Sequence, residues 1–129
     1  MDEHPNVTKV REWARLMDSE DYEAAMGEAL ADDVEWHEIG RDEPTRGKAA
    51  MAQRMQQSMG SFEMSGDTHD IVGNDEHVVQ LLNVTAKKPD GQTLNYRTAE
   101  IYHMKDGKIT ARWAFSDDTA AILEFFGQS

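Results

Sequence analysis

Apolar residues in the first half of the chain recur at helical spacing in three stretches. Asn6 is a suitable N-cap for the first stretch, Ser19 precedes the second, and Gly60 ends the third. Between the second and third stretches, residues 34–39 alternate well enough for a short strand, and residues 40–47 have the composition of a loop. The first two stretches form a predicted helical hairpin. The three predicted helices cover residues 6–17, 20–30 and 48–59.

From residue 62 onward, the apolar pattern changes from helical spacing to the alternation typical of β-strands. Turn signals separate four such stretches, and Gly66 is a candidate bulge within the first. A short apolar helix follows, with Ser116 or Asp117 as its predicted N-cap and Gly127 at its end. The predicted strands cover residues 62–72, 77–87, 94–104 and 109–116.

The order of these elements predicts the α+β class, because the helices do not alternate with the strands as they do in doubly wound parallel folds. A length of 129 residues fits a single domain spanning 1–129. We expect a curved mixed or antiparallel sheet wrapped on three N-terminal helices, with a short C-terminal helix. Such a sheet leaves one end open, and an open end lined by inward side chains is a natural small-molecule pocket.

The last hairpin carries the main candidate chemistry, because Glu100 and Arg112 lie on either side of the turn that contains Gly107. If residues 105–107 form a three-residue loop, Glu100 lies opposite Arg112 and the two charges share a face. If the turn has two residues, Glu100 lies opposite Trp113 and the charges lie on opposite faces. We favour the first register, and the functional interpretation depends on it.

Composition and charge exclude several classes of function. The chain has 13 Lys and Arg against 25 Asp and Glu, and its formal net charge of −12 would repel nucleic acid and anionic membrane surfaces. It has no cysteine, which excludes disulfides, thiolate metal sites and a cysteine nucleophile. No apolar run approaches the roughly 18 residues of a membrane span, and the first residues lack the pattern of a signal peptide. We therefore expect a cytoplasmic protein with neither nucleic-acid nor membrane partners.

Three motifs accompany this order of elements: residues 31–37, Gly47 at a helix start, and residues 106–109 leading into residues 112–117. Together they resemble the SnoaL-like group of the nuclear transport factor two-like superfamily, which includes ketosteroid isomerase-like and polyketide cyclase-like proteins. The resemblance spans nearly the whole chain and implies a cone of helices and bent sheet around an apolar pocket. Members include isomerases, cyclases, epoxide hydrolase relatives and dehydratases, so the fold does not give the reaction.

Compared with these relatives, the chain lacks two orthodox sets of catalytic groups. Trp13 and Trp36 stand where the resemblance to the isomerases places a tyrosine and an aspartate base, and an indole has no accessible basic site. Ala114 occupies the position of the last-strand aspartate of the epoxide hydrolases and cyclases, and Leu81 and Asn83 align with the hydrolase Arg and Asp. The chain is therefore expected to be neither an orthodox ketosteroid isomerase nor an orthodox epoxide hydrolase.

The resemblance implies that the face of the last hairpin with Glu100 lines the pocket and that the more apolar face packs against a second copy of the chain. A large exposed apolar patch is typical of an interface, so we expect a homodimer through the sheet. A hydrophobic small molecule is the expected ligand. The predicted pocket residues are Trp13, Trp36, Tyr96, Glu100, Tyr102 and Arg112.

Glu100 is the candidate general base, and Arg112 could hold a carbonyl or carboxylate of the ligand. A close guanidinium stabilises the carboxylate, however, which suits binding or structure better than proton abstraction. His37 is the second catalytic candidate, although alternation allows only one of Trp36 and His37 to point inward, and Trp36 is the expected one. No histidine has partners at metal-ligand spacing and no phosphate loop is present, so we predict no metal and no cofactor.

Two functional hypotheses follow. The first is a cofactor-independent enzyme of the isomerase, cyclase or lyase type acting on a hydrophobic carbonyl compound. The second is a non-catalytic ligand-binding or dimerisation module. A third interpretation reverses the sheet, with Ile101, Trp113 and Phe115 in the core and Glu100 and Arg112 as an exposed pair without function.

Overall fold

The computed structural model describes residues 3–19, 21–39, 42–58 and 62–126. A curved six-stranded mixed sheet packs against helices, which confirms the predicted α+β architecture. The strand order is β2-β1-β6-β5-β4-β3, with β1 parallel to β6 and every other neighbouring pair antiparallel. The helices are α1 (Pro5–Asp18), α2 (Tyr22–Ala29), α3 (Lys48–Ser58) and α4 (Thr119–Phe125). The strands are β1 (Leu30–Trp36), β2 (Thr45–Arg46), β3 (Glu63–Gly73), β4 (His77–Lys87), β5 (Thr93–Lys105) and β6 (Lys108–Ser116).

Helix α1 begins at Pro5, one residue before the predicted cap. His4 is the N-cap, and its Nδ1 accepts a hydrogen bond from the Asn6 amide. Asn6 is buried instead, and its side-chain amide donates to the carbonyls of Asn74 and Asp75 in the β3–β4 turn. The prediction of Asn6 as the cap was wrong because this contact, distant in sequence, holds its side chain.

The other predicted caps shift by one or two residues. Asp21 rather than Ser19 caps α2, and Asp118 rather than Ser116 or Asp117 caps α4. The helix ends predicted at Gly60 and Gly127 lie outside the described residues.

Strand β1 begins at Leu30, which the apolar pattern assigned to the end of the preceding helix. Leu30 pairs with Ile109 of β6, and its side chain is fully buried. Helical spacing alone cannot distinguish this position, because a fully buried residue fits the core side of either element. The predicted loop before α3 contains the short strand β2, which pairs with the end of β1.

The core lies between the helices and the concave face of the sheet. It includes Val10, Trp13 and Leu16 of α1, and also Tyr102 and Met104 of β5. At the end of β3, a Cβ on Gly73 would come within 2.8 Å of Val78 Cγ2 and 3.0 Å of Val7 Cγ2. Glycine is therefore required where the β3–β4 hairpin approaches α1.

The register of the β5–β6 hairpin differs from both sequence predictions. Asp106 and Gly107, with φ of 53° and 77°, form a two-residue turn in which Lys105 pairs with Lys108. The register then shifts between His103 and Met104, because Thr110 is an extra residue on β6. The predicted three-residue loop was therefore wrong.

This bulge restores the side-chain alternation that the two-residue turn would have reversed. Glu100 lies opposite Ala114, and Tyr102 lies opposite Arg112. Because the bulge adds one residue, Glu100 and Arg112 share the concave face as diagonal neighbours. The predicted pairing of the two charges is thus correct in face, although the extra residue lies in the strand and not in the turn. The bulge predicted at Gly66 lies instead between Thr68 and Asp70.

Candidate active site on the concave face

An ion pair between β5 and β6 forms the centre of the site. Arg112 donates through Nε and Nη2 to Glu100 Oε1, at 3.2 and 3.1 Å. The two side chains are only 14% and 12% exposed, whereas Phe115 on the opposite face is 56% exposed. The interpretation with Phe115 in the core and the ion pair in solvent was therefore wrong.

The ion pair continues into a hydrogen-bond network across the sheet. The hydroxyl of Tyr102 shares its one hydrogen between Gln80 Oε1 at 2.9 Å and Glu100 Oε1 at 3.2 Å. Gln80 donates onward to the hydroxyl of Thr68 at 2.9 Å, and Thr98 donates to Glu100 Oε2 at 3.2 Å. Burial raises the pKa of the Tyr102 phenol well above its usual value, and the nearby charge of Glu100 adds to this.

An aromatic wall supports the guanidinium. Arg112 lies over the Trp36 ring with Cζ 4.4 Å from its centroid, a cation–π arrangement. The Trp36 ring also contacts Trp13 and Tyr102, at centroid distances of 5.4 and 6.4 Å. Arg112 Nη1 donates to the carbonyl of His37 at 2.8 Å. Arg112 therefore links the end of β1 to β5.

Tyr96 lies on the concave face of β5, four residues before Glu100, and is half-buried. Burial raises the pKa of its phenol to about 12, and the charge of Glu100 adds to the increase while Arg112 opposes it. The Tyr96 hydroxyl is therefore a neutral group at physiological pH.

The structure separates His37 from this set of residues. Its ring stacks on Trp113 of the convex face, at a centroid distance of 4.4 Å, and its Nε2 is 3.6 Å from Glu35. Trp36 takes the inward position, as expected. A cleft of about 280 Å³ beside the His37 ring is lined partly by Trp113 and Phe115, not by Glu100. The catalytic role predicted for His37 alongside Glu100 does not fit this placement.

Sequence reasoning did not single out Gln80, Thr68 or Thr98 as members of the site. Gln80 pairs directly with Glu100 across β4 and β5, and Thr98 lies two residues from Glu100 on the same face. A buried glutamine on an otherwise apolar strand face was the available signal, but it required the β4–β5 register. Its exposed fraction is only 2%, so its amide needs the partners that Tyr102 and Thr68 supply.

The two oxygens of Glu100 are in different environments. Among the described residues, Oε1 accepts hydrogen bonds from Arg112 and Tyr102, whereas Oε2 accepts only from Thr98. The carboxylate charge is stabilised mainly through Oε1, and Oε2 has the spare acceptor capacity. Oε2 is therefore the atom on which a proton could be received.

Within residues 3–19, 21–39, 42–58 and 62–126, no group of three or more histidine and acidic side chains could hold a metal ion. None of the described helices combines the length and the apolar character that a membrane crossing requires.

The family is established by sequence. A model of the SnoaL-like domain matches residues 10–112, which is most of the chain, and the chain therefore belongs to the SnoaL-like family. This confirms the resemblance noted in the motifs. A comparison with the curated proteins gave no match.

Several solved structures share the fold of this chain. An NTF2-like protein of unknown function from Burkholderia pseudomallei is 18% identical, with a TM-score of 0.83 over 94% of this chain and 96% of the other. TerC, co-crystallised with polyporic acid, is 19% identical, with a TM-score of 0.82 over 97% and 100%. A candidate polyketide cyclase from Xanthomonas campestris pv. campestris is 22% identical, with a TM-score of 0.78 over 96% of each chain. At these identities the likeness shows the fold and not the reaction.

Proposed function

We propose that this protein is a cofactor-independent enzyme of the cyclase, isomerase or lyase type that acts on a hydrophobic carbonyl compound. The observation that carries the proposal is the nearly buried carboxylate of Glu100 on the concave face, with one oxygen saturated and the other free to accept a proton. The cyclase-like structural neighbours and the family support the class of reaction.

The proposed chemistry is proton transfer next to a carbonyl. Glu100 Oε2 removes a proton from the carbon beside the carbonyl, and the C–H electron pair becomes the π bond of an enolate. The enolate then regains a proton at another carbon or attacks a second carbonyl in the same molecule, and Glu100 returns its proton. Arg112 and Tyr102 hold the carboxylate in place through Oε1, and Trp36 supplies an apolar wall.

Exchange of carbon-bound hydrogen tests this proposal without knowledge of the natural substrate. Acetophenone deuterated at its methyl group loses deuterium to water when a base enolises it, and NMR measures the rate. We expect the protein to accelerate the exchange above the buffer rate and Glu100→Gln to abolish the acceleration without weakening acetophenone binding. Glu63→Gln, at an exposed position on β3, is the matched control and should retain the acceleration. An unchanged rate in Glu100→Gln would contradict the proposal.

A non-catalytic binding module is the second candidate. It is favoured by the three hydrogen bonds that Glu100 Oε1 accepts, since these give the carboxylate a structural role as the partner of Arg112 and Tyr102. It is also favoured by Trp13 and Trp36, which form ring contacts inside the fold where relatives are expected to carry proton-transferring groups. Binding of acetophenone with no acceleration of exchange would support this candidate over the enzyme.

We also propose that the convex face of the sheet meets a second copy of the chain. Phe115 and Leu81 on this face are 56% and 36% exposed, and Trp113 lies between the rings of His37 and His103. Sedimentation should give a dimer for the native chain and a monomer for Phe115→Glu. Met64→Glu is the control, because Met64 has a similar exposed fraction of 54% but pairs with the buried Ala86 and therefore lies on the concave face. This variant should leave the dimer intact. A monomeric native chain would contradict the proposal.

A further inference from the structure

Most polar side chains on the concave face have their hydrogen bonds satisfied within the protein. The amide of Gln80 is bonded to Thr68 and Tyr102, and the hydroxyl of Thr98 is bonded to Glu100. Three N–H groups of Arg112 are directed at protein oxygens. These groups are hydrogen-bonded to one another or to the protein backbone, and we call them the closed network.

Tyr96 is different from these groups. Among the residues that the structure describes, its hydroxyl has no hydrogen-bond partner. Its position on β5 places it on the same face as Thr98 and Glu100, opposite Val84 of β4. The ring is half-buried, so the phenol is neither sealed in the core nor lying fully in water. It is a donor that remains available to a ligand on this face.

The charge at the site also restricts the ligand. Arg112 is the cation of the network, and its charge is matched by Glu100 at 3.1 Å. A bound carboxylate would have to compete with Glu100 for the guanidinium, or else lie near Glu100 in a chain whose net charge is already −12. An uncharged acceptor avoids both costs.

We infer that Tyr96 recognises the ligand by donating a hydrogen bond to an uncharged oxygen, and that the closed Glu100–Arg112 pair makes the site select neutral carbonyl compounds over carboxylates. This inference rests on the proposed function, because it assumes that a small molecule binds at the concave face. It adds the donor that recognises the ligand and the charge that the ligand carries. In the proposed reaction, the same phenol would stabilise the enolate oxygen as negative charge develops on it.

The protonation state of Tyr96 supports this role. With a pKa of about 12, the phenol keeps its hydrogen throughout the physiological range. Its hydrogen can therefore be donated without a prior change in protonation.

Three probes with the same ring test the inference. Acetophenone has a neutral carbonyl, ethylbenzene has no polar group, and benzoate has a charged carboxylate. We expect the native protein to bind acetophenone roughly 5- to 10-fold more tightly than ethylbenzene, the value of one neutral hydrogen bond, and to bind benzoate most weakly. NMR titrations measure all three affinities, and a carbon label at Tyr96 Cζ should shift with acetophenone but not with ethylbenzene.

The matched variants are Tyr96→Phe and Tyr102→Phe, which each remove one phenol hydroxyl. Tyr96→Phe should reduce the preference for acetophenone over ethylbenzene to about one while ethylbenzene binds as before. Tyr102→Phe should retain the preference, because that hydroxyl is directed into the network.

Three outcomes would overturn the inference. They are an unchanged preference in Tyr96→Phe, an equal loss of preference in Tyr102→Phe, and tighter binding of benzoate than of acetophenone by the native protein. Each of these leaves the proposed function standing, because a ligand still binds. Failure of the native protein to bind any of the three probes would instead contradict the proposed function and this inference together.

Discussion

The two faces of the β5–β6 hairpin each carry an arginine paired with a carboxylate, and the pairs differ in burial far more than in distance. Arg112 and Glu100 on the concave face are 3.1 Å apart and 14% and 12% exposed. Arg97 and Asp117 are 3.2 Å apart and 76% and 43% exposed. The contact distance alone therefore does not determine how much each ion pair affects stability. The buried pair carries a desolvation cost that makes each partner depend on the other, whereas the exposed pair can exchange its partner for water.

The sharpest way to break this contrast is to add one residue to β6 beyond the bulge. Insertion of one alanine between Ala111 and Arg112 moves every later residue of β6 by one position, so Arg112 is directed to the convex face. We expect a loss of stability of about 4 kcal/mol or more, measured by urea unfolding. Thr110→Val keeps the residue count and removes only the bond from its hydroxyl to the His103 carbonyl, so it should cost about 1 kcal/mol or less. Native stability in the insertion variant would show that the register of β6 does not determine which face carries Arg112.

The next largest effect compares the two ion pairs directly. Arg112→Ala leaves the Glu100 carboxylate nearly buried without its cation, which should cost about 3 kcal/mol in the free energy of unfolding. Arg97→Ala, which breaks the exposed pair with Asp117, should cost under about 1 kcal/mol. Urea unfolding of both variants at one ionic strength measures the difference. Equal costs would mean that the burial of the concave pair has no energetic consequence.

A smaller effect separates the two tyrosines of the concave face. Tyr102→Phe removes a buried hydroxyl and leaves Gln80 and Glu100 each short of a donor, so we expect a loss of about 1–2 kcal/mol. Tyr96→Phe removes a hydroxyl without a partner among the described residues and should change stability very little. Thermal and urea unfolding check both values. A larger loss in Tyr96→Phe than in Tyr102→Phe would contradict the closed network.

Alkaline titration gives a further test of the concave face. The pKa of Tyr96 is about 12 in the folded protein against about 10 for a free tyrosine. Because the folded form holds a proton that the unfolded form releases, stability present below pH 10 is lost as the pH rises toward 12. NMR of a Tyr96 carbon label should show a midpoint near 12. A midpoint near 10 would mean that the phenol is fully solvated.

The smallest expected effect is the loss of stability at acidic pH that comes from His103 on the convex face. Burial, together with the neighbouring His77, lowers the pKa of His103 below its usual value. The unfolded chain therefore takes up a proton more readily, and the contribution to stability that exists above the unfolded pKa near 6.5 is lost as the pH falls. His103→Gln should reduce the difference between the urea midpoints at pH 7 and pH 5. If His103→Gln leaves the difference between the two urea midpoints unchanged, His103 does not cause the loss of stability in acid.

Much of the architecture was predictable because periodicity is a local property. The change from helical spacing to alternation near residue 62 identified the strand half of the chain, and β4 was predicted with its observed bounds, His77–Lys87. Alternation also required Trp36 and His37 to lie on opposite faces, as they do, although it did not decide which of them points inward. These features follow from the geometry of each element by itself.

Other features required contacts between residues distant in the chain. Asn6 is held by the β3–β4 turn, Leu30 by β6, and Gln80 by Thr68 and Tyr102. No local pattern distinguishes these positions from a cap, a helix residue or an exposed polar residue.

The pairing of Glu100 with Arg112 combines both kinds of information. The sequence by itself determined that the two residues lie on adjacent strands of one hairpin, and that their side chains meet only if one extra residue enters between them. Only the tertiary structure decided where that residue lies, at Thr110 within β6. The turn satisfies its own backbone preferences with Asp106 and Gly107, so the extra residue is absorbed where burial of the concave face favours it. A bulge depends on the packing of a whole strand, and that packing is not encoded within the few residues of the turn.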